Sequence, residues 1–232
     1  MRDDCMCAHV SGGDSFKAAK WRSARQSVGA PACYRYAMLP LRNLVLLALA
    51  AASLSLYIPI SRGRPKRLCG MLVDQHIPFL PVFVVPYLSL FIFFPAAIIL
   101  VYPTPFAALM YLALGIVGLL YAVVSPFVGC SAARADARGP GALHALVRFV
   151  YRIDGKYNND VFPSTHVYIS VICGYYLARA FPAFALWSWI VAVCIAFSTV
   201  FIKQHNLMDI AGGLLWAATA IVAAQSLIGL LV

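Results

Sequence analysis

The sequence is short of charge. Only 11% of its 232 residues are Asp, Glu, Lys or Arg, against a hydrophobic fraction of 62% and a mean hydropathy of +0.83. A water-soluble domain needs far more charge to cover its surface, so that class is excluded. Acid is the scarcer sign, with eight acidic residues against eighteen basic ones and a net charge of +10. The interleaved aromatic and basic pattern of a nucleic-acid binder is missing, so nucleic acid is not an expected partner. The basic residues instead flank apolar runs, where they meet anionic headgroups. The seven cysteines include a CxC at Cys5 and Cys7 but no His/Cys set with zinc spacing, so no metal is expected. Cys173 and Cys194 sit in apolar runs and read as small core residues. Cys69 and Cys130 fall in loops able to share one membrane side. A disulfide between them stays open, because spacing does not give distance. A secure repeat, a low-complexity segment and an ordinary signal peptide are also lacking, since the first apolar run begins only after Met38.

What is there is a series of apolar runs. Residues 1–39 are polar and basic, and their composition predicts a disordered tail. Met38, with Arg42 as flanking charge, is a second candidate start. Residues 40–232 form one membrane domain, an all-α polytopic bundle of about six transmembrane helices. A span needs roughly 20 apolar residues. The expected spans are Asn43–Ile60, Pro81–Tyr102, Phe106–Val128, Ser164–Ala180, Ala183–Phe201 and Asn206–Val232. Residues 183–232 as a single helix would reach about 75 Å, too long for one crossing. The polar cluster Lys203-Gln204-His205-Asn206 is the natural turn. An even number of spans puts both termini on one side, and the loop 129–165 and the turn after span five on the other. The Lys/Arg residues are nearly balanced between the two sides, so the positive-inside rule does not orient the chain.

Polar residues at membrane depth are costly and mark function. The first island is Phe162-Pro163-Ser164-Thr165-His166, directly before an apolar helix. Ser164 suits an N-cap, and a helix N-terminus offers free N–H groups and a positive dipole end to phosphate. The alternative is a plain cap with an interfacial histidine. The second island is Ser198–Asp209. His205 and Asp209 stand four apart, so on a helix they share a face. A carboxylate beside an imidazole fixes its tautomer and supports its charged form, as in covalent catalysis. Lys203 could hold a phosphate oxygen. The alternative is a His–Asp bond that merely closes a turn. The loop between the islands carries Arg134, Arg138, Arg148, Arg152 and Lys156. Leu143, Leu146, Val147 and Val150 have helical spacing, which predicts an amphipathic helix at the interface, with most of these arginines as lipid-facing anchors.

Together the islands resemble the type 2 phosphatidic acid phosphatase superfamily, the membrane branch of the acid phosphatase/vanadium haloperoxidase group. Its Pro-Ser-x-His element is present as Pro163-Ser164-Thr165-His166. Its Ser-Arg-x5-His-x3-Asp element is present as Ser198-Thr199, five residues, His205, three residues and Asp209. The resemblance spans roughly Val82–Val232, and its wording, FPSxHV and STxFxKQHxxxD, matches a six-span subgroup. It implies His205 as a nucleophile forming a phosphohistidine, Asp209 as its orienter and His166 as the acid for the leaving group. Ser164, Thr165 and Ser198 would join the phosphate site, and no cofactor or metal is required. Two departures stand out. The arginine of the third element is Thr199 here, with Lys203 the nearest replacement. The basic first element is degraded, leaving Arg134 as the expected phosphate clamp and Arg138 as second choice. The resemblance implies a lipid phosphate or diphosphate substrate, membrane lipids as surroundings, and an extracytoplasmic or lumenal active site in an integral, multi-pass protein. A lipid phosphotransferase resembling inositol phosphoceramide synthases and a non-catalytic relative remain the rival readings.

Overall fold

A computed structural model describes residues 32–61, 67–128, 130–154 and 162–228. The chain divides into two units, Met1–Leu41 and Arg42–Val232. In the first, residues 1–31, which hold most of the expected tail, lie outside the described residues, as does Lys156 of the loop. The second unit is the membrane domain.

Among the described residues, five helical stretches are long and apolar enough to cross a membrane: Leu41–Ser61, Pro81–Val101, Ala107–Val128, Pro182–Phe201 and Leu207–Ile228. The first is broken at Leu56 into α1 (Ala32–Ser55) and α2 (Tyr57–Ser61). Helix α4 (Val84–Val101) stops before Pro103-Thr104-Pro105, where two prolines remove backbone donors, and α5 (Ala107–Val128) starts beyond them. Helices α8 (Ala185–Phe201) and α9 (Leu207–Ile228) divide the last apolar stretch at the polar cluster, as expected.

The fourth expected span is the exception in length. Helix α7 (Thr165–Ala180) has 16 residues, about 24 Å at 1.5 Å per residue. It is the central helix, packed against α4, α5, α8 and α9. Its Val167, Tyr168, Ile172, Cys173 and Tyr176 are buried in the core. The outer helices carry their large apolar residues outward instead, among them Phe91 and Ile92 on α4 and Leu186 and Trp187 on α8. That inversion is what a bundle in hydrocarbon requires.

Outside the spans the expected amphipathic helix forms as α6 (Ala142–Ile153). Val147 and Val150 pack with Val84, Tyr87 and Ile202, while Leu146, Phe149 and Ile153 face outward. Residues 67–80 make a second cover. Arg67–Leu68 (β1) pairs in parallel with Cys130–Ser131 (β2), and a short helix α3 (Leu72–His76) follows. Cys69 and Cys130 are disulfide-bonded with Cα atoms 5.3 Å apart, which closes the question their spacing left open.

Candidate active site

The second polar island is a helix ending, a turn and a helix start. Helix α8 closes with the two hydrogen bonds of a Schellman motif: Lys203 N–H donates to Val200, and Gln204 N–H donates to Thr199. Such endings need a left-handed residue, usually glycine. Here it is Lys203, at φ 55°, a conformation uncommon for a residue with a Cβ. Asn206 then precedes α9, and Asp209 reaches back so that its Oδ2 accepts the Asn206 N–H at 2.7 Å, half of a capping box. The same oxygen faces His205 Nδ1 at 3.6 Å. His205 therefore does not share a helix face with Asp209. It sits in the turn before α9, and the carboxylate is presented to it by the cap.

The turn is tied down almost residue by residue, with partners distant in sequence. Phe201 O accepts from Leu80 N–H at 3.0 Å. Ile202 O accepts from the Tyr151 hydroxyl at 2.6 Å. Lys203 Nζ donates to the Asp74 carbonyl at 2.9 Å. Gln204 Nε2 donates to Asp154 Oδ2 at 2.6 Å. Asn206 Nδ2 donates to the Cys69 carbonyl. Leu207 N–H donates to Asp74 Oδ1 at 2.9 Å. Six of the seven residues from Phe201 to Leu207 are so held, and the exception is His205. Burial pushes the Tyr151 hydroxyl up to about 12, with the Ala135 backbone and the Arg134 charge opposing, so it stays a donor throughout the neutral range. Burial also lowers the Lys203 ammonium below its ordinary value, against the pull of Asp74.

The first island meets this turn directly. Ser164 N–H donates to the Asp209 carbonyl at 3.1 Å. Gly213 lets α9 approach: a Cβ there would stand 2.7 Å from Val167 Cβ and 3.1 Å from Ser164 O. Ser164 occupies the N-cap position of α7, yet its hydroxyl makes no cap hydrogen bond. The Oγ is buried without a hydrogen-bond partner among the described residues, as is Nε2 of His166. Two such atoms are expensive unless a ligand meets them. His166 is stacked on Tyr87, with ring centroids 4.1 Å apart and planes at 22°, and its ring lies 6.3 Å from that of His205. Thr165 is engaged by the Tyr168 hydroxyl at 3.3 Å.

A cavity of about 400 Å³ is lined by His205 together with Arg134, Lys203, Asn206, Met71 and Asp74. Arg134 Nη1 donates to the Tyr151 carbonyl at 2.8 Å, and its guanidinium lies over the Tyr151 ring. Arg138 points away into solvent beside Asp136 at 3.6 Å. Arg148 donates to the Ala137 and Gly139 carbonyls and braces the loop. Ser198 is fully buried and returns its hydroxyl to Ile195 at 2.6 Å. Thr199 does the same to Ala196 at 2.7 Å. Neither side chain turns toward the cavity, because a hydroxyl in mid-helix satisfies itself on its own backbone. Asp74 and Tyr87 belong to the site and carry no motif, while Gln204 stands inside the third element without a role assigned to it there. Only the general cost of a polar residue near a span marks Asp74.

Residues 138–229 match the family model described as the PAP2 superfamily. Neither a curated protein nor a solved structure matches the chain.

Proposed function

From the premise that residues 138–229 belong to the PAP2 superfamily, whose members are generally phosphoesterases, we propose that this protein hydrolyses a lipid phosphate monoester or diphosphate through a phosphohistidine. The observation that carries the reading is His205, paired with Asp209, facing His166 across one site beside an unsatisfied Ser164 hydroxyl. Asp209 on Nδ1 leaves Nε2 of His205 as the attacking atom. Its lone pair forms the N–P bond while the bond from phosphorus to the leaving oxygen breaks, the ester oxygen of a monoester or the bridging oxygen of a diphosphate. His166 gives that oxygen a proton, so the alcohol or the lipid monophosphate departs. Water then attacks phosphorus, returns its proton to His166, and releases inorganic phosphate and free His205. The start of α7, Ser164, Thr165, Arg134 and Lys203 surround the phosphoryl oxygens and offset the charge that builds on them.

The lipid class follows from position. The site lies at the ends of α7, α8 and α9, where a substrate anchored in the bilayer presents its headgroup. The Cys69–Cys130 bridge supports a lumenal or extracellular active site, since disulfides persist in oxidising compartments.

The test is phosphate release by purified protein from phosphatidate and prenyl diphosphates, followed by trapping of acid-labile phosphoprotein. His205→Ala is expected to abolish both. Phosphate release that survives this substitution would refute the mechanism.

A further inference from the structure

The mechanism above uses nothing from residues 67–80, yet that segment supplies four of the six distant partners that hold the His205 turn. They are the Cys69 carbonyl, the Asp74 carbonyl, Asp74 Oδ1 and Leu80 N–H. Asp74 is the densest contact. Its Oδ2 accepts the Met71 N–H at 2.7 Å and fixes the start of α3. Its Oδ1 crosses 133 residues of sequence to the first N–H of α9, the helix that carries Asp209. An ordinary local cap would use only the first of these. The segment has little core of its own, since no residue of α3 is buried. It is fastened instead by the Cys69–Cys130 bridge and by the hydrogen bond from Cys69 N–H to Ser131 O at 2.9 Å.

We propose that Asp74 is a positioning residue for the reaction and that the disulfide-fastened segment Cys69–His76 is the clamp through which it aligns the His205–Asp209 pair. Asp74 touches neither reacting atom. By capping α9 from outside it sets where Asp209 stands, and through its carbonyl it directs Lys203 along the cavity wall. An oxidised Cys69–Cys130 pair thus becomes a condition for fast phosphoryl transfer, although no sulfur takes part in the chemistry. Reduction adds two electrons and two protons, gives two thiols and releases the segment at its N-terminal end. The inference rests on the hydrolase reading for its kinetic half and on the geometry alone for its structural half.

The experiment uses the full chain in lipid nanodiscs as wild type, Asp74→Ala, Asp74→Asn and wild type treated with a dithiol. Two quantities are read: amide hydrogen exchange over residues 203–210, and kcat and KM for phosphate release from phosphatidate. Asp74→Ala and the reduced wild type are expected to exchange about tenfold faster over 203–210, and kcat to fall about 10- to 100-fold with KM within about twofold, as for a misplacement of reacting groups by about 1 Å. Asp74→Asn has one acceptor oxygen where the carboxylate uses two, so it can serve the Leu207 N–H only by turning its NH2 toward the Met71 N–H, and it is expected to fall between wild type and Asp74→Ala in both. Unchanged exchange in both the Asp74→Ala and the reduced protein would overturn the clamp. If Asp74→Ala does not fold, the reduced wild type decides alone. Accelerated exchange in a wild type that releases no phosphate from any lipid offered would uphold the clamp and refute the hydrolase reading.

Discussion

The two histidines of the site are held by opposite means. His205 stands in a turn fastened by hydrogen bonds whose partners lie as far as 137 residues away. His166 sits in the first turn of a buried helix, held by a ring stacked on Tyr87 and by the close approach of Gly213 to Ser164 and Val167. A turn has no repeating backbone ladder to stiffen it, so each of its polar groups must be anchored separately. A helix start is stiff already and needs only to be seated, for which shape is enough. The nucleophile side should therefore fail when acceptors are removed, and the acid side when volume changes.

The largest effect should come from Asp209→Asn. The amide oxygen can still cap the Asn206 N–H, so stability should hold. The charge behind His205 is lost, and kcat should fall by about 10²–10⁴-fold, the range for a miscast orienting carboxylate. Equal losses of stability and rate would mean that Asp209 matters as a cap alone. Next is Gly213→Ala. The added methyl must push either Val167 or Ser164 aside, costing about 1–3 kcal/mol of stability and up to about 100-fold in kcat through misplacement of Ser164 and His166. Thermal unfolding in nanodiscs and phosphate release measure the two. Tyr87→Leu keeps the apolar fill but deletes the stack, worth about 0.5–1.5 kcal/mol. A kcat lowered by about tenfold or less is expected, with KM nearly unchanged. The smallest effect at neutral pH concerns Lys203. Burial depresses its ammonium. A cation is charged below its pKa, so this group loses its charge, and phosphate affinity with it, at a lower pH than a free lysine would. Lys203→Arg keeps the charge, and its KM should stay flat further into alkali. Superimposable alkaline limbs for the two proteins would remove Lys203 from the phosphate site.

The two sides also differed in how far they could be read from sequence. The apolar runs located the helices because a span has a length set by the bilayer and a composition set by its solvent. The islands located His166, His205 and Asp209 because motif spacing is local. The route from His205 to Asp209 was misjudged as a shared helix face. Spacing by four fits a helix, and nothing local reveals that Lys203 adopts the left-handed conformation and ends α8 before His205. The hydroxyl of Ser198 was expected near phosphate, and Thr199 stands where the family has an arginine. Their return to the Ile195 and Ala196 carbonyls depends only on α8 continuing past them, which the motif does not state. Asp74 and Tyr87 escaped altogether, and Gln204 was named only as part of the turn and of the motif wording. Each matters through a partner 50 or more residues away, and one sequence without covariation carries no signal for such pairs.

The placement of those partners has a consequence for how the protein comes into being. Segment 67–80 is synthesised long before the turn at 201–207 that it holds, and α6 lies between them in chain order. A prefix of the chain that ends short of α9 lacks the Asp74 cap on Leu207 and the Asp209 carboxylate behind His205. The contacts are among the most non-local in the fold, and contacts of that kind are made last because the loop they close must be ordered first. A nascent chain that stops before this turn therefore has neither His205 nor Asp209, and it also lacks the Gly213 approach and the Asp209 carbonyl that seat the start of α7. Both histidines gain their full support only once α9 is in place.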